Sequence, residues 1–198
     1  MQRLRERLAW RAAIAWGDTP SVQRHRAIAD RIAETAGRRR WLLLGDSNAA
    51  AAAFGEACGA VPVVAAFDGA TVETFLFADR GAGYASRCHP LVIVVALGAN
   101  DAASGSEVFA KRLQRLRVRL RRWPVCFAAV PCGALAEVLP GLAHALNVPL
   151  ITTGTYPSHD GKHVASEHRA AWARDIEAGV AGLVAFKADA QTLNTAIA

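Results

Sequence analysis

Five short apolar runs, separated by segments of helical pattern, constrain the fold of this 198-residue chain more than any other feature. They are Trp41–Leu44, Val61–Phe67, Leu91–Leu97, Val125–Val130 and Val148–Thr152. Each has strand length, and their apolarity is continuous. A strand with one wet face alternates apolar and polar residues, whereas a run apolar throughout suits a strand covered on both faces. Between the runs, Ser47–Cys58 is rich in alanine, and Phe109, Leu113, Leu116 and Leu120 form a stripe at helical spacing with arginines opposite. Leu135–Leu146 reads as a short helix and a segment from about Ser166 to Leu183 as a final one. Strand–helix alternation at this spacing predicts an α/β fold: three layers, α/β/α, around a five-stranded parallel, doubly wound sheet with right-handed crossovers.

Residues 1–37 read as two helices. Leu4, Leu8, Arg11 and Ala15 share a face of the first, with Trp10 and Trp16 at its flanks. Gly17-Asp18-Thr19-Pro20 interrupts, Ser21 is a candidate N-cap, and the second helix is expected to end near Gly37 as its C′ residue. Lys187–Ala198 shows no packing pattern and reads as a tail. With no linker, repeat or low-complexity stretch, residues 1–198 are expected to form one domain, with 1–40 a helical extension packed on it.

A chain that is 53% hydrophobic is not a disordered one. No apolar run reaches the roughly eighteen residues that span a bilayer, so no membrane span is expected. Met1–Arg7 lacks the apolar stretch of a secretory signal, and a cytoplasmic location is the expectation. The formal charge is +6, with basic residues gathered in Arg3–Arg40 and Lys111–Arg122. Such runs usually form solvated faces; they lack interleaved aromatics, and nucleic acid is not an expected partner. The cysteines, Cys58, Cys88, Cys126 and Cys132, form no C-x-x-C pair, so no metal site is expected. Cys126 lies in an apolar run and reads as core, and Cys88-His89 has no placed base that would make the thiol a nucleophile.

In an open parallel sheet, ligands bind outside the carboxyl ends of the strands. Gly45-Asp46-Ser47-Asn48 follows the first run and Asp68-Gly69-Ala70-Thr71 the second. Gly98-Ala99-Asn100-Asp101 follows the third, and Ser158-His159-Asp160-Gly161-Lys162-His163 the last. Polar, reactive residues therefore gather on one predicted edge of the sheet.

These blocks carry a resemblance. Gly45-Asp46-Ser47 resembles the nucleophile block of the SGNH (GDSL-like) hydrolases, and Gly69 sits where that family's second-block glycine is expected. Gly98-Ala99-Asn100-Asp101 resembles its G-x-N-D block and Asp160-Gly161-Lys162-His163 its D-x-x-H block. The likeness runs from about Trp41 to the final helix; Asn48 stands where leucine is frequent, at a position that varies. Each motif alone is common, but four in order, each after a predicted strand, form a joint signal. The resemblance implies a flavodoxin-like sheet and a serine esterase that needs no cofactor. Ser47 would be its nucleophile, His163 the base and Asp160 the orienter of the imidazole. The Ser47 N–H, the Gly69 N–H and the Asn100 amide would form the oxyanion hole.

The chemistry asks for these residue types. A serine hydroxyl is a weak nucleophile until a base takes its proton, and imidazole ordinarily titrates near neutrality. A carboxylate three residues before the histidine can hold its far nitrogen and fix its tautomer. Charge on the attacked carbonyl oxygen needs donors set in advance, each worth on the order of 3 kcal/mol of barrier. His159 is a competing base on the same loop, and Asp46 and Asp101 read as structural residues tying down loops. Fold and family leave the substrate open. A short loop set suits a small acyl group, such as an acetyl ester of a small molecule or carbohydrate. An acyltransferase with the same residues and a non-catalytic binding module of the same fold are the alternatives.

Overall fold

The computed structural model describes residues 20–130 and 135–197, without the side chains of 187–197. The first predicted helix, with Trp10 and Trp16, and Cys132 lie outside the described residues. Chain order is α1 (Pro20–Glu34), β1 (Arg40–Gly45), α2 (Ser47–Ala51), β2 (Val61–Ala66), α3 (Val72–Leu76), α4 (Arg80–Cys88) and β3 (Ile93–Ala96). Then come α5 (Ser106–Arg119), β4 (Val125–Ala128), α6 (Leu139–Ala145), β5 (Leu150–Ile151) and α7 (Arg169–Ile197). Single 3-10 turns stand at Phe77–Asp79, Ala102–Ser104 and Ser166–His168.

The five strands form one all-parallel sheet in the order β2-β1-β3-β4-β5, the flavodoxin-like doubly wound arrangement. Each apolar run is continuous because its residues alternate between two cores. Leu42, Leu44, Val63, Ile93, Val95 and Phe127 face a core closed by α1, α3, α4, α5 and α6, through residues such as Ile28, Phe75, Tyr84, Phe109, Leu113 and Leu116. Trp41, Leu43, Val94, Ala96, Cys126 and Ala128 face a second core closed by α2 and α7, through Ala49, Trp172, Ile176 and Val180. Period-2 side-chain alternation with both faces covered gives the uninterrupted hydrophobicity seen in the sequence.

Several element boundaries differ from expectation. The Ser47–Cys58 helix stops at Ala51, with Ala52 already extended at φ −92°, ψ 146°. The chain leaves the helix so that Phe54 can pack edge-on against both Trp41 and Trp172. A further reason is that the Gly55 N–H donates to Glu177 on α7. Tertiary aromatic packing thus overrides the helix propensity of an alanine run. Ser21 is not an N-cap, since Pro20 already lies in α1. That helix ends at Glu34, three residues before Gly37, whose φ is +78°. The expected C-terminal tail is helical to Ile197 as the continuation of α7. The helices α3 and α4 were not anticipated. The Lys111–Arg122 run is largely ion-paired: Lys111 with Glu107, Arg112 and Arg115 with Glu73, and Arg119 with Asp79. No described helix is long and apolar enough to cross a membrane.

Candidate active site

The site is built from loops that leave the carboxyl ends of the strands. Parallel pairing aligns Gly45 with Ala66 on one side and with Ala96 on the other, so β1, β2 and β3 end together. Gly45 is required by space. A Cβ there would lie 2.4 Å from the Ala49 Cβ and 3.5 Å from both the Ala66 Cβ and the Ala96 carbonyl oxygen. Only a glycine lets the strand turn this tightly into α2.

Asp46 caps α2: its carboxylate accepts from the Asn48 N–H at 3.0 Å, with φ −99° and ψ −159°. It is fully buried, and Oδ2 has no hydrogen-bond partner. Burial pushes its carboxyl up to about 6, against the opposing pull of Asn48 and the Ala99 N–H. Ser47 follows at the first helical position, half-buried, where a backbone N–H has no partner within the helix.

The second and third loops are bound to each other. The Ala70 N–H donates to the Phe67 carbonyl at 3.1 Å, closing a turn whose third residue, Gly69, has φ +68°. A side chain at Gly69 would meet open space, so the backbone conformation rather than crowding calls for glycine. The Asn100 side-chain amide donates to the Ala70 carbonyl at 3.2 Å, which engages one of its two N–H bonds. Asp101, fully buried, accepts from the Val72 N–H at 3.2 Å and has Arg112 at 3.9 Å. Burial raises the Asp101 carboxyl above the ordinary carboxylate range. Both aspartates read as structural, Asp46 and Asp101, therefore bind backbone N–H groups.

The fourth loop follows β5. Asp160 Oδ1 accepts from the backbone N–H groups of Lys162 at 2.9 Å and His163 at 2.8 Å, winding Asp160–His163 into a local turn. Asp160 Oδ2 lies 2.5 Å from His163 Nδ1, and His163 Nε2 lies 2.8 Å from Ser47 Oγ. Residues 116 positions apart are thus joined in one hydrogen-bonded line, Asp160–His163–Ser47. The bond from His163, with the two backbone N–H groups, holds the exposed Asp160 carboxyl well below the usual carboxylate range. His159 does not join the line; it is exposed and faces Glu167 at 4.0 Å. Cys88 is buried, and burial pushes its thiol up to about 11, away from any nucleophilic form near neutrality.

Sequence reasoning overlooked Asn48. Its side chain is buried, accepts from the Val164 N–H at 2.8 Å and donates to the Lys162 carbonyl at 3.0 Å. The available signal was one polar residue heading a run of alanines on a helix that must face a core. A cavity of about 1190 Å³ lies away from this site between α1, α4 and α5 and is lined by arginines including Arg26, Arg80, Arg87 and Arg122.

No protein-family model and no curated protein matches the chain. Solved structures do. A lipase/acylhydrolase from Enterococcus faecalis superposes with a TM-score of 0.55 at 20% identity, over 73% of this chain and 96% of that one. A carbohydrate acetylesterase family member from Sinorhizobium meliloti gives 0.55 at 18% identity, over 73% and 98%. The psychrotrophic esterase EstA from Pseudoalteromonas sp. gives 0.54 at 16% identity, over 70% and 94%. At these identities the likeness is one of fold: this chain has the three-layer α/β/α fold of the SGNH-type esterases and acylhydrolases.

Proposed function

We propose that this chain is a serine esterase that hydrolyses a small-acyl ester, such as an acetyl ester, through an acyl-enzyme. The observation that carries this reading is the line Asp160–His163–Ser47, with its 2.5 Å and 2.8 Å contacts. Ser47 Oγ attacks the ester carbonyl while His163 Nε2 takes its proton. Asp160 holds the Nδ1–H and stabilises the imidazolium that forms. The tetrahedral oxyanion is received by the Ser47 N–H, the Gly69 N–H and the second N–H of the Asn100 amide. Collapse expels the alcohol, protonated by His163; water then repeats the sequence and frees the acid and Ser47. No step needs a metal or organic cofactor.

Among the similar folds, a carbohydrate acetylesterase favours an acetyl ester on a sugar as the natural substrate. The exposed Asp160 and Gly69 suit an open site for a short acyl group more than a tunnel for a long chain. Transfer of the acyl group to another alcohol is the nearest alternative, with the same residues and a different second nucleophile.

The test is hydrolysis of p-nitrophenyl esters from acetate to decanoate by wild type and Ser47→Ala. Activity greatest on acetate or butyrate, and absent in the variant, is the expected result. Activity equal in the two proteins would remove Ser47 as nucleophile. Product analysis with an added alcohol acceptor separates hydrolysis from transfer.

A further inference from the structure

The residue after the nucleophile reaches the loop that carries the base, on both sides of that base. Asn48 Oδ1 accepts the Val164 N–H at 2.8 Å, and Asn48 Nδ2 donates to the Lys162 carbonyl at 3.0 Å. These backbone groups immediately precede and follow His163. We propose that Asn48 is a positioning residue that sets the Ser47–His163 distance by clamping the His163 backbone to the start of α2. The proposal rests on the esterase reading above for its functional meaning, and on the clamp itself for its geometry.

The physical case begins with what the loop lacks. Residues 152–165 contain no helix or strand. Asp160 organises the turn locally but is itself exposed, so its hydrogen bonds shape the turn without fixing where it sits. Other ties include the Thr153 hydroxyl to the Ala129 carbonyl after β4, the Gly154 N–H and the Tyr156 hydroxyl to Asp175 on α7, Arg169 to the Val164 carbonyl, and the Ala165 N–H to the Pro157 carbonyl. Asn48 ties the loop to the element that bears Ser47. It is 1% exposed and Val164 is buried, so water cannot take over the bond to the Val164 N–H. Both ends of one planar amide are used, which fixes its orientation and, through it, the direction in which the His163 side chain leaves the backbone. The hydrogen bond between Ser47 and His163 is therefore set by a neighbouring amide, instead of having to order the loop by itself. A misplacement of about 1 Å between reacting groups costs about 100-fold in rate, which sets the expected size of the effect.

Asn48→Leu removes both bonds and keeps the branched side-chain skeleton; Asn48→Asp keeps the acceptor for Val164 and loses the donor for Lys162. On p-nitrophenyl acetate, Asn48→Leu is expected to lower kcat about 100-fold with KM within threefold, and Asn48→Asp to lower it about 10-fold. The Val164 amide should exchange faster in Asn48→Leu and stay protected in Asn48→Asp. The His163 Nε2 resonance should move in Asn48→Leu, as expected for a lengthened bond to Ser47. In a His163→Ala background, Asn48→Leu should cost nothing further, because the residue acts through His163. A kcat within twofold of wild type in Asn48→Leu, or the same loss with and without His163, would overturn the proposal. If Asn48→Leu does not fold, Asn48→Asp carries the same comparison. If wild type neither turns over any ester nor accepts a fluorophosphonate at Ser47, the esterase reading fails. The clamp is then decided by the Val164 exchange and His163 resonance alone, and unchanged values in Asn48→Leu would refute it.

Discussion

The Ser47 segment and the His163 loop meet through hydrogen bonds of Ser47 and Asn48, yet they are held in place by opposite means. Gly45-Asp46-Ser47-Asn48 continues a central strand, and Asp46, Asn48 and Ala49 are buried. Ser158–His163 follows the shortest, outermost strand, and His159, Asp160, Gly161 and Lys162 are exposed. The first is fixed by packing and the second by hydrogen bonds. The two aspartates show the difference. Burial lifts Asp46 to about 6, while hydrogen bonds from His163 and the turn hold exposed Asp160 well below its ordinary value. A packed segment tolerates little change in volume; a hydrogen-bonded turn tolerates volume and fails on backbone angle or lost donors.

The largest expected effect joins the two regions. Ser47→Ala should lower kcat on p-nitrophenyl acetate by about 10⁴-fold or more while leaving the unfolding midpoint in urea almost unchanged. A large loss of stability instead would mean that Ser47 serves α2 rather than the reaction.

The next test separates the two aspartates by pH. For Asp46, the folded state keeps a proton between about pH 4 and pH 6 that the unfolded chain releases. Its contribution is therefore present below about pH 4 and lost as pH rises through 6, by about 3 kcal/mol. For Asp160 the sign reverses: its lowered value contributes stability at neutral pH that is lost as pH falls below about 4. His25, lowered to about 4 by burial, opposes Asp46 in nearly the same window, so the difference between variant and wild type carries the sign. Urea unfolding at pH 4, 5 and 6.5 should show Asp46→Asn gaining on wild type as pH rises. A flat difference would mean that Asp46 does not titrate in that range.

Asp160→Ala should lower kcat by about 100-fold, less than Ser47→Ala, because water can reach the imidazole once the exposed carboxylate is gone. Equal losses in the two variants would break the contrast between a packed and a solvated half. The smallest effects come from two glycines that fail for different reasons. Gly45→Ala, with a Cβ 2.4 Å from Ala49, should cost about 2 kcal/mol and disturb activity. Gly161→Ala has open space but a φ of +73°, and should cost about 1 kcal/mol. Urea unfolding of both variants checks this, and Gly161→Asn, which tolerates that φ, should recover part of the loss where Gly45→Asn does not.

Much of this was legible in the sequence because it depends on local pattern. The five runs became five strands, since burial on both faces leaves a continuous apolar signature. The stripe Phe109, Leu113 and Leu116 became the buried face of α5. The residues at the strand ends could be named because a parallel sheet delivers its loops to one edge. Where the structure departs from that pattern, the reason lies in tertiary packing or in elements with little periodic signal. The alanine run after Ser47 has the pattern of twelve helical residues, and tertiary packing of Phe54 against Trp41 and Trp172 leaves five. The helix α3, five residues long, is too short to show a helical period, and α4 buries mainly small residues, Gly81, Ala85 and Cys88, beside Tyr84.

The sequence by itself determined which residues could react and in what order they leave the sheet, because periodicity and residue type are properties of the chain alone. Only the tertiary structure decided that Asp160, His163 and Ser47 fall into one line, that His159 stands outside it, and that Asn48 grips the backbone on either side of His163. The contacts of Ser47 and Asn48 with the His163 loop span more than a hundred residues, and a hydrogen bond is made or lost within a few tenths of an ångström. No local pattern carries that information; the packing of a closed core does.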